Sequence, residues 1–366
     1  MTSKLVFVVG LMTSGAAVVF AQAQAPPANL QAPQDPRYAD VITTCKTPPP
    51  AAGGPAAGAR AGGGAPRGGA AGRGRGGPAA PAGPAEYTVS AVPGVIAAGQ
   101  RWALVHETTG NNADGILASD DGGLLLAQND NGVVLKLDRN HQASAAYRDT
   151  NTGGALSRSS KGALFIASRG MNTAILQLAP ERRVFASRYQ GDPFECLGGV
   201  LNDITADSKG GVYFTMGGLY YADPKGVVTM YGENLRTNGV ILSPDEQTLY
   251  VTNGASVAGF DVRPDGSLAN QREFGKLPAG GGDGLAVDAA GRLYVTAGGG
   301  GGGAAGIHVF APDGTYLGVI AGPRSFITAG FAGPDKKTLY AVANDRRVVE
   351  VYAIQALAQG YMGRAK

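Results

Sequence analysis

The sequence predicts an all-β fold, a six-bladed β-propeller that follows a disordered N-terminal segment rich in Pro, Ala, Gly and Arg. One pattern, a polar or small residue, a turn and a β-rich tetrad, recurs six times in the last 281 residues, at spacings of 36 to 48. A propeller blade has four strands in about 40–45 residues, which matches this repeat. No unit has the 3.6-residue apolar period of a helix, so a helical solenoid is excluded.

Residues 1–23 have the composition of a signal peptide. Lys4 precedes an apolar run over 5–20, and the Ala-Gln-Ala sequence at 21–23 fits a signal-peptidase site, with 23–25 as a second choice. The run is short for a membrane span of ~20 residues, and a retained anchor is the alternative. We therefore expect an exported protein, periplasmic or secreted, without stable membrane insertion after cleavage.

A short N-terminal arm, residues 24–45, leads into a segment of unusual composition. Residues 46–85 are almost wholly Pro, Ala, Gly and Arg, which offers nothing large to bury and predicts a disordered linker. The basic charge lies there, because the chain carries +3 and residues 86–366 carry −2. The Arg-Gly pattern at Arg73 and Arg75 lacks interleaved aromatic residues, which favours a spacer over nucleic-acid binding.

The chain contains two cysteines, Cys45 in the arm and Cys196 in the repeat region. In an oxidising compartment they could form a disulfide that ties the arm to the propeller. Two unpaired thiols are the alternative, because the sequence does not give the distance between them.

The stretch from Glu86 to Glu107 precedes the first full repeat and has strand-forming residues. We expect it to supply an outer strand to the last blade. Such a strand would close the ring and cover both sheet edges. The propeller is therefore expected to occupy residues 86–366.

Equivalent residues at the start of the six innermost strands should form a ring around one mouth of the channel. In register they are Asp114, Gly154, Asn202, Asn238, Asp283 and Ala329. Four of them carry a carboxylate or carboxamide oxygen. Oxygen donors without His or Cys suit a hard divalent cation, Ca²⁺ first, with Mg²⁺, Mn²⁺ or Zn²⁺ as alternatives. The other interpretation is that these Asp and Asn residues only cap turns.

The repeats also carry a family resemblance, over roughly residues 113–354. It rests on "LNDITADSKGGVYFTM", "TNGVILSPDEQTLYVTN", "GDGLAVDAAGRLYVTA" and "FAGPDKKTLYAVA". These segments resemble the senescence-marker-protein/gluconolactonase/luciferin-regenerating-enzyme family of six-bladed propeller lactonases. The resemblance implies metal ligands at Asn238 and Asp283 and a substrate contact at Asn202. The family's third metal ligand is a first-blade Glu, and Asp114, one methylene shorter, is the ligand expected in its place. Val200 stands where the family usually has an Arg.

The resemblance further implies a metal-dependent hydrolase of small lactones, acting on a lactone or another sugar-derived substrate. A cation would polarise the carbonyl, Asp283 would activate water as general base, and Asn202 and Asn238 would orient the substrate. Gln128 and Arg169 end strands of the first two blades and are further candidates for substrate contact, with solvated loop residues as the alternative. The alternative function is a non-catalytic exported propeller that binds a small ligand or a protein.

Overall fold

The computed structural model describes residues 30–47, 49, 87–110, 113–278, 280–298, 304–345 and 348–363. The predicted signal peptide, residues 1–23, lies outside them, as does nearly all of the predicted linker, residues 46–85. Both stay predictions. Within the described part of the chain, no helix is long and apolar enough to cross a membrane.

The described residues form six four-stranded antiparallel sheets, which confirms the predicted six-bladed β-propeller. The first strand of each blade contacts the first strands of both neighbouring blades, so these six strands surround the channel. After β1 (Ala103–Thr109), blades one to three comprise β2 (Gly115–Ala118), β3 (Leu124–Gln128), β4 (Val133–Leu137), β5 (Ala143–Tyr147), β6 (Gly153–Arg158), β7 (Leu164–Ser168), β8 (Ala174–Ala179), β9 (Arg183–Ala186), a two-stranded insertion of β10 (Arg188–Tyr189) and β11 (Asp192–Pro193), β12 (Ile204–Ala206), β13 (Val212–Thr215), β14 (Leu219–Ala222) and β15 (Val228–Tyr231).

The second half of the ring continues in the same order along the chain. Blades four to six comprise β16 (Thr237–Leu242), β17 (Thr248–Asn253), β18 (Ser256–Val262), β19 (Leu268–Lys276), β20 (Gly282–Val287), β21 (Leu293–Ala297), β22 (Gly306–Phe310), β23 (Tyr316–Ala321), β24 (Thr328–Ala332), β25 (Thr338–Asp345) and β26 (Val348–Gln355). Short 3-10 helices lie at Asn129–Asn131 and Phe194–Leu197.

The apolar tetrads bury both of their faces between blades. In β3, Leu124 and Leu126 pack in a core shared with blade six, whereas Leu125 and Ala127 pack in a core shared with blade two. Successive side chains of a strand point to opposite faces, so a strand between two cores must be apolar at every position. This explains why the tetrads read as continuous apolar runs.

The ring closes through β1, which pairs antiparallel with β26 as the outer strand of blade six. This confirms the predicted closure. The strand begins near the end of the predicted 86–107 stretch and runs two residues beyond it, to Thr109. Residues 87–102 form isolated bridges instead, and Trp102 donates to the Ala321 carbonyl at 2.9 Å. These residues anchor the chain to blade five before it enters blade six.

The N-terminal arm packs on blade two and on the segment between blades two and three. It contains a 3-10 helix, Ala32–Gln34, and one short helix, α1 (Tyr38–Ile42). Cys45 and Cys196 form a disulfide with a Cα–Cα distance of 5.6 Å. The two cysteines are therefore paired, and the disulfide joins the arm covalently to the segment between blades two and three.

Candidate functional site

The structure brings the four oxygen-bearing ring residues together at one mouth of the channel. Each lies at or just before the start of an inner strand, in blades one, three, four and five. They line a cavity of about 20 Å³, roughly the room that one water molecule needs. The polar side chains that line it belong to Asp114, Asn202, Asp203, Asn238, Asp283 and Thr328.

The predicted side chains form one hydrogen-bonded row across this mouth. Arg169 makes an ion pair with Asp114, and its other terminal nitrogen lies 3.4 Å from Asn202 Oδ1. The Asn202 amide donates to Asn238 Oδ1 at 2.9 Å, and the Asn238 side chain bonds to Asp283. Five of the residues proposed from sequence therefore belong to a single polar network.

Arg169 occupies the space that a glycine leaves. A Cβ on Gly154 would lie 2.2 Å from the Arg169 guanidinium carbon. The Arg169 side chain is only 2% exposed, and its Nε donates to the Leu201 carbonyl at 2.7 Å. Because Gly154 has no side chain, the guanidinium of Arg169, which follows β7, can lie in the mouth of the channel.

The glycines that follow the site residues permit close contact between neighbouring inner strands. A Cβ on Gly239 would lie 2.3 Å from the Asp283 carbonyl, and one on Gly115 would lie 2.5 Å from the Gly154 carbonyl. Neither glycine has a positive φ. The Asp-Gly and Asn-Gly pairs therefore reflect close packing around the channel, and the turn-capping interpretation does not apply to them.

Burial and neighbouring negative charges both raise the pKa of the Asp283 carboxyl. Its pKa is raised well above the usual value, first by desolvation and then by the nearby carboxylates of Asp114 and Asp203. The Asn238 hydrogen bond and the Arg169 charge oppose this shift. Three carboxyl groups thus share the mouth with one guanidinium, an imbalance that favours an added cation.

Two further residues of the site were not proposed from sequence. Asp203 lines the cavity, is 6% exposed, and accepts from the Val240 amide at 2.8 Å. The buried Thr215 hydroxyl donates to the Asn238 carbonyl and accepts from the Asp203 amide at 3.1 Å. A signal existed for Thr215, because threonine recurs at this tetrad position in blades three to five.

The structure directs Gln128 away from the cavity, which argues against its proposed substrate contact. Gln128 is 2% exposed, and its amide donates to the Thr109 carbonyl and lies 3.3 Å from Thr108 Oγ1. It fastens blade one to the end of β1. In blade six, Ala329 is buried in the core, and Thr328 reaches the cavity in its place.

Comparison with known proteins assigns the chain to a family. The sequence model described as "SMP-30/Gluconolactonase/LRE-like region" matches residues 141–344, more than half of the chain. The chain belongs to this family. A gluconolactonase of Zymomonas mobilis is 29% identical over 218 residues, which cover 50% of this chain and 58% of that protein. The chain thus spans about three fifths of this relative's length.

Two solved structures share the fold of this chain. A gluconolactonase from Xanthomonas campestris superposes with a TM-score of 0.62 at 21% identity, covering 76% of this chain and 98% of that one. The calcium-binding protein regucalcin from Agrobacterium tumefaciens superposes with a TM-score of 0.54 at 18% identity, covering 71% and 96%. At these identities the likeness establishes the propeller fold.

Proposed function

We propose that this family member hydrolyses small lactones with the help of a divalent cation held at the ring mouth. The observation that carries the proposal is the convergence of Asp114, Asn202, Asn238 and Asp283, from four blades, on one cavity. Membership of a family with a gluconolactonase among its proteins supports the same activity. The predicted signal peptide and the disulfide support a location outside the cytoplasm.

The donor set fits a divalent cation. Asp114, Asn238 and Asp283 offer two carboxylates and one amide oxygen, hard donors that suit Ca²⁺ and also accept Mg²⁺ or Mn²⁺, with Zn²⁺ as a further alternative. Arg169 engages Oδ2 of Asp114, which leaves Oδ1 for a ligand. Among the described residues, no three His, Cys, Asp or Glu side chains lie close enough together to hold a metal ion by themselves. The amide oxygen of Asn238 is therefore a necessary donor. Water and substrate would complete the ~6–8 oxygens of a Ca²⁺ shell.

When bound, the cation supplies Lewis-acid polarisation of the lactone carbonyl. Asp283 accepts the proton of the attacking water as that water's oxygen bonds to the carbonyl carbon. Asn202 and Asn238 orient the lactone, and the Arg169 guanidinium holds Asp114 and Asn202 in place through its ion pair and hydrogen bond. The ring C–O bond then breaks, and its oxygen takes the proton from Asp283. The product is the open hydroxy acid.

A panel of sugar-derived and aliphatic lactones tests this function with the purified full chain. We expect hydrolysis of at least one class, its loss after chelation, and its recovery when one of the four proposed cations is restored. If the metal-supplemented protein hydrolyses no lactone, the alternative of a non-catalytic exported propeller that binds a small ligand or protein replaces the proposal.

Changing Gly154 to alanine should reduce kcat/KM for the best lactone by roughly 10- to 100-fold, because the added methyl displaces the Arg169 guanidinium. The clashing atoms are the end of a flexible side chain, so the propeller should stay folded, but the melting temperature should fall because the displaced guanidinium gives up its buried bonds to the Leu201 and Asn202 carbonyls. Gly330→Ala is the matched control, since its Cβ would meet Ile116 at an ordinary 3.5 Å. Equal activity of the two variants would remove Arg169 from the mechanism.

A further inference from the structure

The N-terminal arm bonds directly to the backbone of the arginine in the site. The Ala32 amide donates to the Arg169 carbonyl at 2.7 Å. Thr152 lies two residues before Gly154, and its hydroxyl donates to the Leu30 carbonyl at 3.1 Å. The arm therefore contacts both the residue that provides the guanidinium and the strand that makes room for it.

The other end of the arm is anchored on the segment that holds the guanidinium. Besides the Cys45–Cys196 disulfide, the Tyr38 hydroxyl donates to the Glu195 carbonyl at 3.1 Å. This segment runs on to Leu201 and Asn202, whose carbonyls accept the Arg169 side-chain bonds. The arm thus joins the two places that fix Arg169, its backbone and the acceptors of its side chain.

Non-covalent contacts alone hold the arm weakly. Helix α1 has no buried residue, and Ala32 and Cys45 are the buried apolar residues of the arm among those described. So little apolar burial offsets only a small part of the entropy lost when the arm is ordered. The disulfide keeps the arm next to blade two, where its few hydrogen bonds form at high effective concentration.

We infer that the disulfide-tethered arm is a positioning element of the site, which fixes Arg169 for its contacts with Asp114 and Asn202. The arm acts through Arg169 and touches none of the proposed reacting atoms. The catalytic consequence of this inference rests on the proposed lactone hydrolysis. The structural consequence, an ordered backbone around Arg169, does not.

Two changes release the arm in the full-length chain by different means. Cys45→Ser combined with Cys196→Ser removes the tether. Ala32→Pro removes the N–H that donates to the Arg169 carbonyl, at the first residue of a 3-10 helix, where proline is tolerated. The preceding Gln31 has φ −66° and ψ 148°, a conformation compatible with a following proline. Lys46→Ala is the control, because it removes a side-chain contact to the Gln190 carbonyl immediately after the arm and leaves the bonds of the arm itself in place.

We expect both releases to lower kcat/KM about tenfold, mainly through KM, whereas Lys46→Ala leaves it unchanged. In an Arg169→Ala background the same releases should cause no additional loss, because their effect passes through Arg169. Losses that multiply in that background, or unchanged kinetics in the released variants, would overturn the inference.

Hydrogen exchange supplies a readout that is independent of activity. The Arg169 amide bonds to the Asn151 carbonyl at 3.2 Å and the Asn202 amide to the Thr215 carbonyl at 2.8 Å. Both amides should exchange faster in the released variants, while amides of blade five stay protected. Unchanged exchange at both amides contradicts the positioning role, even if the wild-type protein hydrolyses no lactone. Faster exchange without any lactonase activity would retain the arm's role and reject only the proposed function.

Discussion

Replacing Asp283 with asparagine should reduce kcat for lactone hydrolysis by roughly 10³-fold while leaving the propeller folded. The amide has nearly the same shape as the carboxylate, but it neither accepts the proton of the attacking water nor contributes a negative charge to the cation. The loss should therefore appear in kcat and in metal affinity together. Steady-state kinetics and a melting curve measure the two expectations.

The matched control is Asp261→Asn, which makes the same charge change at an exposed ion pair with Arg272 in blade four. Its kinetics should equal those of the wild type. If Asp283→Asn keeps more than a tenth of the wild-type kcat, Asp283 is not the general base. Asp203, which lines the same cavity, would then be the next carboxylate to test.

Replacing Asp207 with alanine should cause a large loss of stability, about 3 kcal/mol, because buried donors lose a charged acceptor. The carboxylate of Asp207 is fully buried and accepts from the Lys209, Gly210 and Gly211 amides at 2.7–2.9 Å. Its second oxygen accepts from the Tyr221 hydroxyl at 2.8 Å. For a domain of this size, we expect the melting temperature to fall by roughly 6–12 °C.

Asp223 provides the comparison within the same blade. Its carboxylate also accepts from two turn amides, those of Lys225 and Val227, but it is partly exposed, and no tyrosine in the described part of the chain donates to it. Asp223→Ala should therefore cost about 1 kcal/mol or less. Equal losses for the two variants would show that the turn amides, and not the buried link to Tyr221, dominate the effect.

The architecture was predictable because the repeat encodes it locally. A turn followed by an apolar tetrad specifies an inner hairpin, and six such units in one register specify a ring. The same register placed Asp114, Asn202, Asn238 and Asp283 at one mouth, since equivalent residues of an inner strand lie at equal depth. The existence of the closing strand was predictable, but its start was not, because the strand begins at Ala103 and the predicted stretch begins at Glu86.

The rest of the site depends on packing between blades, which local patterns do not specify. Gln128 ends its strand as Arg169 nearly does, yet one turns toward β1 and the other fills the space above Gly154. Local sequence patterns do not distinguish between these two directions. The cysteine pairing was likewise open, because it depends on the path of the arm across some 150 residues of intervening chain.

Calorimetric titration of the chelated full chain with Ca²⁺, Mg²⁺, Mn²⁺ and Zn²⁺ tests the central claim most directly, that the ring mouth is a divalent-cation site. We predict one cation per chain for at least one of these metals, with affinity lost in Asp283→Asn and kept in Asp261→Asn. An absence of binding to the wild type, or binding that Asp283→Asn leaves unchanged, would contradict the account.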